Sequence, residues 1–263
     1  MERRIGTSEI HYVEHGTGVP LVALHGAGVD HREIEAAMEA VLPRAGYRRI
    51  YPDLPGMGYS TSGGLTGNND VVDLLGEFIE RVAEGPALVL GHSYGAYLAR
   101  GVAARRPGAV LGLALVCPLA EQATTVPAPT VVRQDHDAYD DLEAEHRPGF
   151  EDYFAVRTRA TARRYRDRVV PGTRLVDEAA LGRIFAGWPV DLGESTFSPP
   201  SLIVAGRQDS AVGYADAVRL LDRYPRAGLA VIDGAGHALL HERPGVAAAL
   251  VQDWLDRATP RER

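Results

Sequence analysis

A serine hydroxyl becomes a useful nucleophile when a base takes its proton and a carboxylate orients that base. The chain carries these three residue types in the order Ser93, Asp209 and His237, each just past a short apolar run. Ser93 stands in Gly91-His92-Ser93-Tyr94-Gly95. Ala87-Leu88-Val89-Leu90 precedes it, and Tyr97, Leu98, Gly101 and Val102 follow at helical spacing. A strand that turns directly into a helix needs a tight bend, and glycines on both sides carry no Cβ to obstruct it. The chemistry this implies is acyl transfer, with His237 as base and Asp209 as its orienting acid.

The other members of such a site follow from the same logic. Tyr94, the residue after the serine, is expected to supply one backbone N–H to an oxyanion hole. Ala27, in His25-Gly26-Ala27-Gly28, is expected to supply the second. His92 is expected to point elsewhere, because adjacent side chains diverge at a tight bend. His241 is placed on the surface or in a supporting position. Two further carboxylates are weighed against Asp209: Glu121, past the strand ending "LVCP", and Asp233, expected to stabilise the turn before His237.

Delivering these residues to one edge requires parallel strands separated by helices. The chain alternates that way, with strands at "EIHYVEHGTG", "PLVALHGAG" and "RRIYPDLPGMG", helices over 31–45 and 70–83, the serine strand and helix, and a strand over 110–117. It resumes with "SLIVAGRQD", a helix over 214–224, "GLAVIDGAGH" and a last helix from Gly245 to about Arg257. Residues 119–197 break the pattern and are read as a helical cap inserted between two parts of one core, 1–118 and 198–263. Trp188 and Tyr153 are the cap residues assigned to substrate binding. Tyr139, Phe150, Phe154 and Phe185 are divided between cap core and pocket lining. The tail "ATPRER" is expected to fray.

With these residues in place the chain resembles the α/β-hydrolase superfamily over nearly its whole length, through "HGAG" (25–28), "DLPGMGYS" (53–60), "GHSYG" (91–95), "GRQD" (206–209) and "GAGH" (234–237). The resemblance implies a mainly parallel eight-stranded sheet flanked by helices, a cap, and a structural role for Asp53. It implies a cofactor-independent serine hydrolase cleaving a small or medium carboxylic ester, thioester or lactone. A carbon–carbon bond hydrolase of the dienoate type, and a slow-turnover ligand-binding protein of the same fold, are the alternatives. Hydroxynitrile lyases and cofactor-free perhydrolases share the triad. Epoxide hydrolases and haloalkane dehalogenases are disfavoured, since they place aspartate where this chain has Ser93.

Composition sets the outer bounds. A net charge of −7, with 35 acidic against 28 basic residues, argues against nucleic-acid binding. No lysine occurs, so Schiff-base and P-loop lysine chemistry are out. Cys117 stands alone, which excludes an intrachain disulfide, and reads as a buried small side chain. "HREIE" and "HERP" lack the H-E-x-x-H spacing, His11 and His15 fall at strand and turn positions, and no G-x-G-x-x-G opens a helix. No metal or cofactor is therefore expected. The arginines from 157 to 168 read as a solvated face paired with nearby acids. The N-terminal "MERRIGTSEI" lacks the apolar core of a signal peptide, and no run reaches the roughly 18 apolar residues of a membrane span. A cytoplasmic protein acting on small molecules, without membrane partners, is expected; the sequence leaves its oligomeric state open.

Overall fold

From Leu21 to Leu24 in β3 (Val19–Leu24) and from Ala87 to Leu90 in β5 (Ala87–His92) both sets of alternating side chains are apolar and buried, the pattern of strands covered on two faces. The computed structural model describes residues 1–42, 45–119 and 125–259. Eight strands form its main sheet. They are β1 (Glu2–Ile5), β2 (Ser8–His15), β3, β4 (Tyr47–Pro52), β5, β6 (Val110–Val116), β9 (Ser201–Gly206) and β10 (Ala227–Ile232), in the order β1-β2-β4-β3-β5-β6-β9-β10. β1 and β2 pair antiparallel, as do β2 and β4, and every later neighbour is parallel.

Leu21, Ala23, Leu88 and Leu90 meet one helical layer, α1 (His31–Val41) and α9 (Pro244–Ala258). Val22, Leu24 and Val89 meet the other, α2 (Asn68–Ala83) and α3 (Tyr94–Arg105). Burial of the large side chains of both layers, Trp254, Phe78 and Tyr97 among them, contributes roughly 1.5–3 kcal/mol each. The expected helix over 214–224 is instead a 3₁₀ helix, Ala215–Asp222.

Between β6 and β9 the described part of the 119–197 segment adds no strand to the main sheet. It holds two two-residue strands that pair with each other, β7 (Arg133–Gln134) and β8 (Val156–Arg157), and helices α4 (Arg147–Tyr153), α5 (Arg159–Arg164), α6 (Val170–Thr173) and α7 (Glu178–Ala186). A π-helical turn, Tyr165–Val169, joins α5 to α6. Phe150, Phe154, Tyr165 and Val169 form a small apolar core of their own. The chain then returns to the sheet and reaches α8 (Leu239–Glu242) before α9.

β3 and β5 are neighbours, and the connection leaving β3 runs to β4 on one side while the connection leaving β5 runs to β6 on the other, so the chain parts in opposite directions between them. Such a point leaves a crevice beyond the strand ends. Leu24 is level with Gly91, which sets the loop after β3 beside the residues that follow β5.

Candidate active site

Ser93 sits at the junction of β5 and α3 with φ 54° and ψ −118°, a left-handed φ that a residue with a Cβ adopts only at a cost of order 1–3 kcal/mol. The bend is possible because a Cβ at Gly91 would strike the Gly95 carbonyl, and one at Gly95 would strike the Leu24 carbonyl. Gly26 approaches from the loop after β3, and a Cβ built there would lie 3.5 Å from the Ser93 Cβ and 3.9 Å from its Oγ. His25 fixes that loop: its Nε2 accepts from the Leu54 N–H (2.9 Å), so its Nδ1 donates to the Gly26 carbonyl (2.7 Å). Burial lowers the His25 pKa, which keeps this tautomer neutral.

Asp209 follows β9 and is fully buried. Its Oδ1 accepts from the N–H groups of Ala211 (2.9 Å) and Val212 (3.0 Å), while Oδ2 accepts from Nδ1 of His237 at 2.8 Å. Burial opposes the carboxylate charge, but His237 and these N–H donors outweigh it and hold the Asp209 pKa below its ordinary value. Burial likewise opposes a charged imidazole at His237, whose side chain is 11% exposed; the Asp209 carboxylate prevails, and the pKa is raised. With Nδ1 donating, Nε2 is left as the basic nitrogen.

Gly26, Ala27, Ser93, Tyr153, Tyr165 and His237 line one cavity of about 270 Å³. No hydrogen bond joins the Ser93 hydroxyl to His237 among the described contacts; catalytic hydrogen bonds often tighten only around substrate. The backbone N–H groups of Ala27 and Tyr94 serve no other described residue. Among the described residues the cavity wall includes no arginine and no carboxylate, and its titratable side chains are His92, His237, Tyr153 and Tyr165.

Several expectations change here. His92 does not point away: it lines the same cavity, its ring 4.9 Å from that of His237, because its Nε2 reaches over to the His237 carbonyl at 3.0 Å. His241 takes the supporting one of its two expected positions: it is buried, with Nε2 3.1 Å from Oε1 of Glu33. Tyr153 reaches the cavity, but Trp188 does not. It stacks on Tyr97 (5.4 Å, 15°) and meets Tyr94 and Phe185, fastening the 119–197 segment to α3. Phe150 and Phe154 belong to that segment's apolar core. Asp233 accepts from Gln208 and its carbonyl from Arg243, so it braces the turn. Glu121 lies outside the described residues.

The residues missed in the sequence are acidic. Glu33, on α1, accepts the Tyr153 hydroxyl at 2.7 Å and is 2% exposed. Glu242 accepts the N–H groups of Ala155, Val156 and Gly236, tying the inserted segment to the loop that carries His237. Only the position of Glu33 in step with the buried Ala37 and Val41 of its helix hinted at burial.

Among the described residues two groups could offer metal ligands, His92 with Cys117 and His237, and His11 with His31 and Asp53, each with donor atoms within 4.8 Å. In both, key donors already serve protein hydrogen bonds: His237 Nδ1 holds Asp209, and Asp53 accepts from both of its histidines. Four arginines of the insertion meet acids as expected, Arg159 and Arg163 with Asp141, Arg166 with Asp167 and Arg168 with Glu35, whereas Arg157 donates to the carbonyls of Glu151 and Phe154. No helix among the described residues is long and apolar enough to cross a membrane.

Comparison with known proteins places this arrangement. Haloalkane dehalogenase 2 of Mycobacterium bovis is 28% identical, over 92% of this chain and 90% of its own. (E)-2-((N-methylformamido)methylene)succinate hydrolase of Acinetobacter baylyi is 35% identical over 107 residues, only 40% of either chain. Among solved structures, an alpha/beta superfamily hydrolase from Oenococcus oeni superposes with a TM-score of 0.87 at 23% identity, covering 98% of this chain and 99% of that one. The family model described as "Alpha/beta hydrolase family" matches residues 21–250, and the chain belongs to that family.

Proposed function

We propose that this protein is a cofactor-independent serine hydrolase that cleaves a small or medium carboxylic ester, thioester or lactone through an acyl-enzyme on Ser93. The observation that carries the reading is the Asp209–His237 hydrogen bond of 2.8 Å, which leaves the imidazole Nε2 available at a cavity shared with Ser93 on its strained bend. In this reading His237 Nε2 takes the Ser93 proton as Oγ adds to the carbonyl carbon. The Ala27 and Tyr94 N–H groups receive the oxygen that gains charge. The intermediate collapses as His237 returns the proton to the leaving alcohol or thiol. Water, deprotonated by the same imidazole, then releases the acid and restores Ser93. Residues 119–197 act as the cap that shapes the acyl site.

Chemistry separates this reading from that of the dehalogenase relative. A carboxylate displacing halide forms an ester that water can cleave, whereas a serine would be left as an inert ether. Carbon–carbon cleavage of a dienoate is the weaker alternative, because that substrate brings a carboxylate and the cavity wall offers it no arginine among the described residues. A fluorophosphonate probe tests for the activated serine, and a panel of chromogenic esters beside ring-cleavage dienoates tests the bond. Labelling at Ser93 with ester turnover is the expected result. Dienoate turnover without ester turnover moves the assignment to the alternative, and a protein that neither labels nor turns over is a binder.

A further inference from the structure

Glu33 is a buried carboxylate that the proposed mechanism does not use. It reaches under the active site from α1 and meets side chains from three other elements. Tyr153, at the end of α4, donates to its Oε1 at 2.7 Å, and His241, on α8, faces the same oxygen at 3.1 Å. His92, at the end of β5, brings Nδ1 to 3.9 Å from it. Among the described residues Oε2 has no hydrogen-bond partner, and neither has His92 Nδ1.

The protonation states follow from these partners. The His237 carbonyl can only accept, so His92 carries its proton on Nε2 and presents a bare lone pair at Nδ1. Burial pushes the His92 pKa down to about 4, so that ring is neutral near pH 7. Burial also opposes the Glu33 charge, but the His241 hydrogen bond, the neighbouring imidazoles and the Tyr153 phenol hold its pKa at about 2. Tyr153 keeps its proton, its pKa driven well up by burial and then by Glu33. No arginine pairs with this carboxylate among the described ion pairs; the groups that meet it are the Tyr153 phenol and two imidazoles. Burying a charge this way is costly, and such carboxylates concentrate at functional sites.

We propose that Glu33 is a positioning residue of the active site: through Tyr153 it fixes the inserted segment's wall of the cavity, and by its own charge it favours the imidazolium form of His237. The inference rests on the reading of His237 as the base. The groups facing His237 are Asp209 by direct hydrogen bond, Tyr153 edge-on at 5.8 Å, His92 at 4.9 Å and Cys117, with Glu242 bonded to the preceding residue. Glu33 acts behind them, and its charge adds to that of Asp209. A site with two anions behind its wall and, among the described residues, no arginine in it takes an uncharged acyl group in preference to one ending in a carboxylate.

The test is the pH dependence of fluorophosphonate labelling, which requires no knowledge of the substrate. Glu33→Gln keeps an acceptor for Tyr153 and His241 while removing the charge. The midpoint of the labelling limb should fall by about half to one pH unit, as expected on losing a charge near an imidazole. The same variant should narrow the preference for a neutral ester over its ω-carboxylate analogue. Tyr153→Phe keeps the charge, so its midpoint should stay within about 0.2 unit. Its KM for the preferred ester should rise about threefold or more, with kcat nearly unchanged, because only the wall has slackened. A folded Glu33→Gln with the wild-type midpoint overturns the proposal. If that variant does not fold, an unchanged KM in Tyr153→Phe overturns it. Wild-type protein that never labels defeats the hydrolase reading itself, an outcome distinct from a labelled protein whose midpoint does not move.

Discussion

Two aspartates in this molecule do nearly the same thing in two places. Asp53 follows β4 and accepts from Nδ1 of His31 at 2.7 Å; Asp209 follows β9 and accepts from Nδ1 of His237 at 2.8 Å. Both carboxylates are fully buried, and both are held below the ordinary carboxylate pKa against the opposing effect of burial. The difference lies in the surroundings. Asp53 is saturated, taking the His31 and Tyr59 N–H groups and a second imidazole, His11, so it clamps β2, α1 and the 53–60 loop together. Asp209 holds one histidine at a cavity that also contains Ser93. A buried Asp–His pair is thus a mechanical part in one region and a candidate for chemistry in the other, decided by what the second imidazole nitrogen can reach.

The largest effect that sharpens the contrast is at Ser93, the proposed nucleophile. Ser93→Ala should abolish probe labelling and lower kcat by at least about 10⁴, with the thermal midpoint held or raised because the strained bend loses nothing it needs. Labelling that survives in this variant refutes the assignment.

Next come the paired aspartates. Asp209→Asn should lose on the order of 10² to 10⁴ in kcat while remaining folded, since the amide favours the wrong tautomer of His237. Asp53→Asn should do the reverse, costing about 3 kcal/mol of stability through its unbalanced donors but under about tenfold in kcat. Because the folded pKa of Asp53 is depressed, its contribution is present above the ordinary carboxylate range and is lost as pH falls, so the variant should also show a shallower acid-unfolding slope. Urea unfolding across pH, run beside steady-state kinetics, checks both. Equal kinetic losses in the two variants would erase the distinction.

A smaller effect is read in the pH profile. His237 must be neutral to accept a proton and its pKa is raised, so kcat/KM should climb with pH through a midpoint above the ordinary histidine value of about 6.5. Asp209→Asn should move that midpoint down, and Asp53→Asn should leave it in place. Smallest is the response at Trp188: replacing it with leucine should lower stability by about 1–2 kcal/mol through lost stacking on Tyr97, with relative rates among acyl-chain lengths constant within about twofold. A changed chain-length profile would return Trp188 to the substrate site.

The strands, the glycine-flanked serine and the chain order of Ser93, Asp209 and His237 were legible because each rests on a local rule: apolar runs buried on both faces make strands, and a tight bend excludes a Cβ. Asp209 over Asp233 was legible too, since the spacing past β9 is short and Gly206 lets the chain turn at once. His92 was misread for lack of any local signal. Its orientation comes from a hydrogen bond to residue 237, 145 positions away in the chain. Trp188 and Tyr153 look alike in sequence as aromatic residues of the insertion, and only packing put one against α3 and the other over the cavity. Glu33 was the most hidden, read among the letters of a failed metal motif. Sequence by itself determined which strands form and which residues stand at their ends, because propensity, periodicity and steric demand act over a few neighbouring positions. Tertiary structure alone decided which buried imidazoles and carboxylates meet, because a hydrogen bond between elements depends on the angles at which strands and helices pack, and no local pattern encodes them.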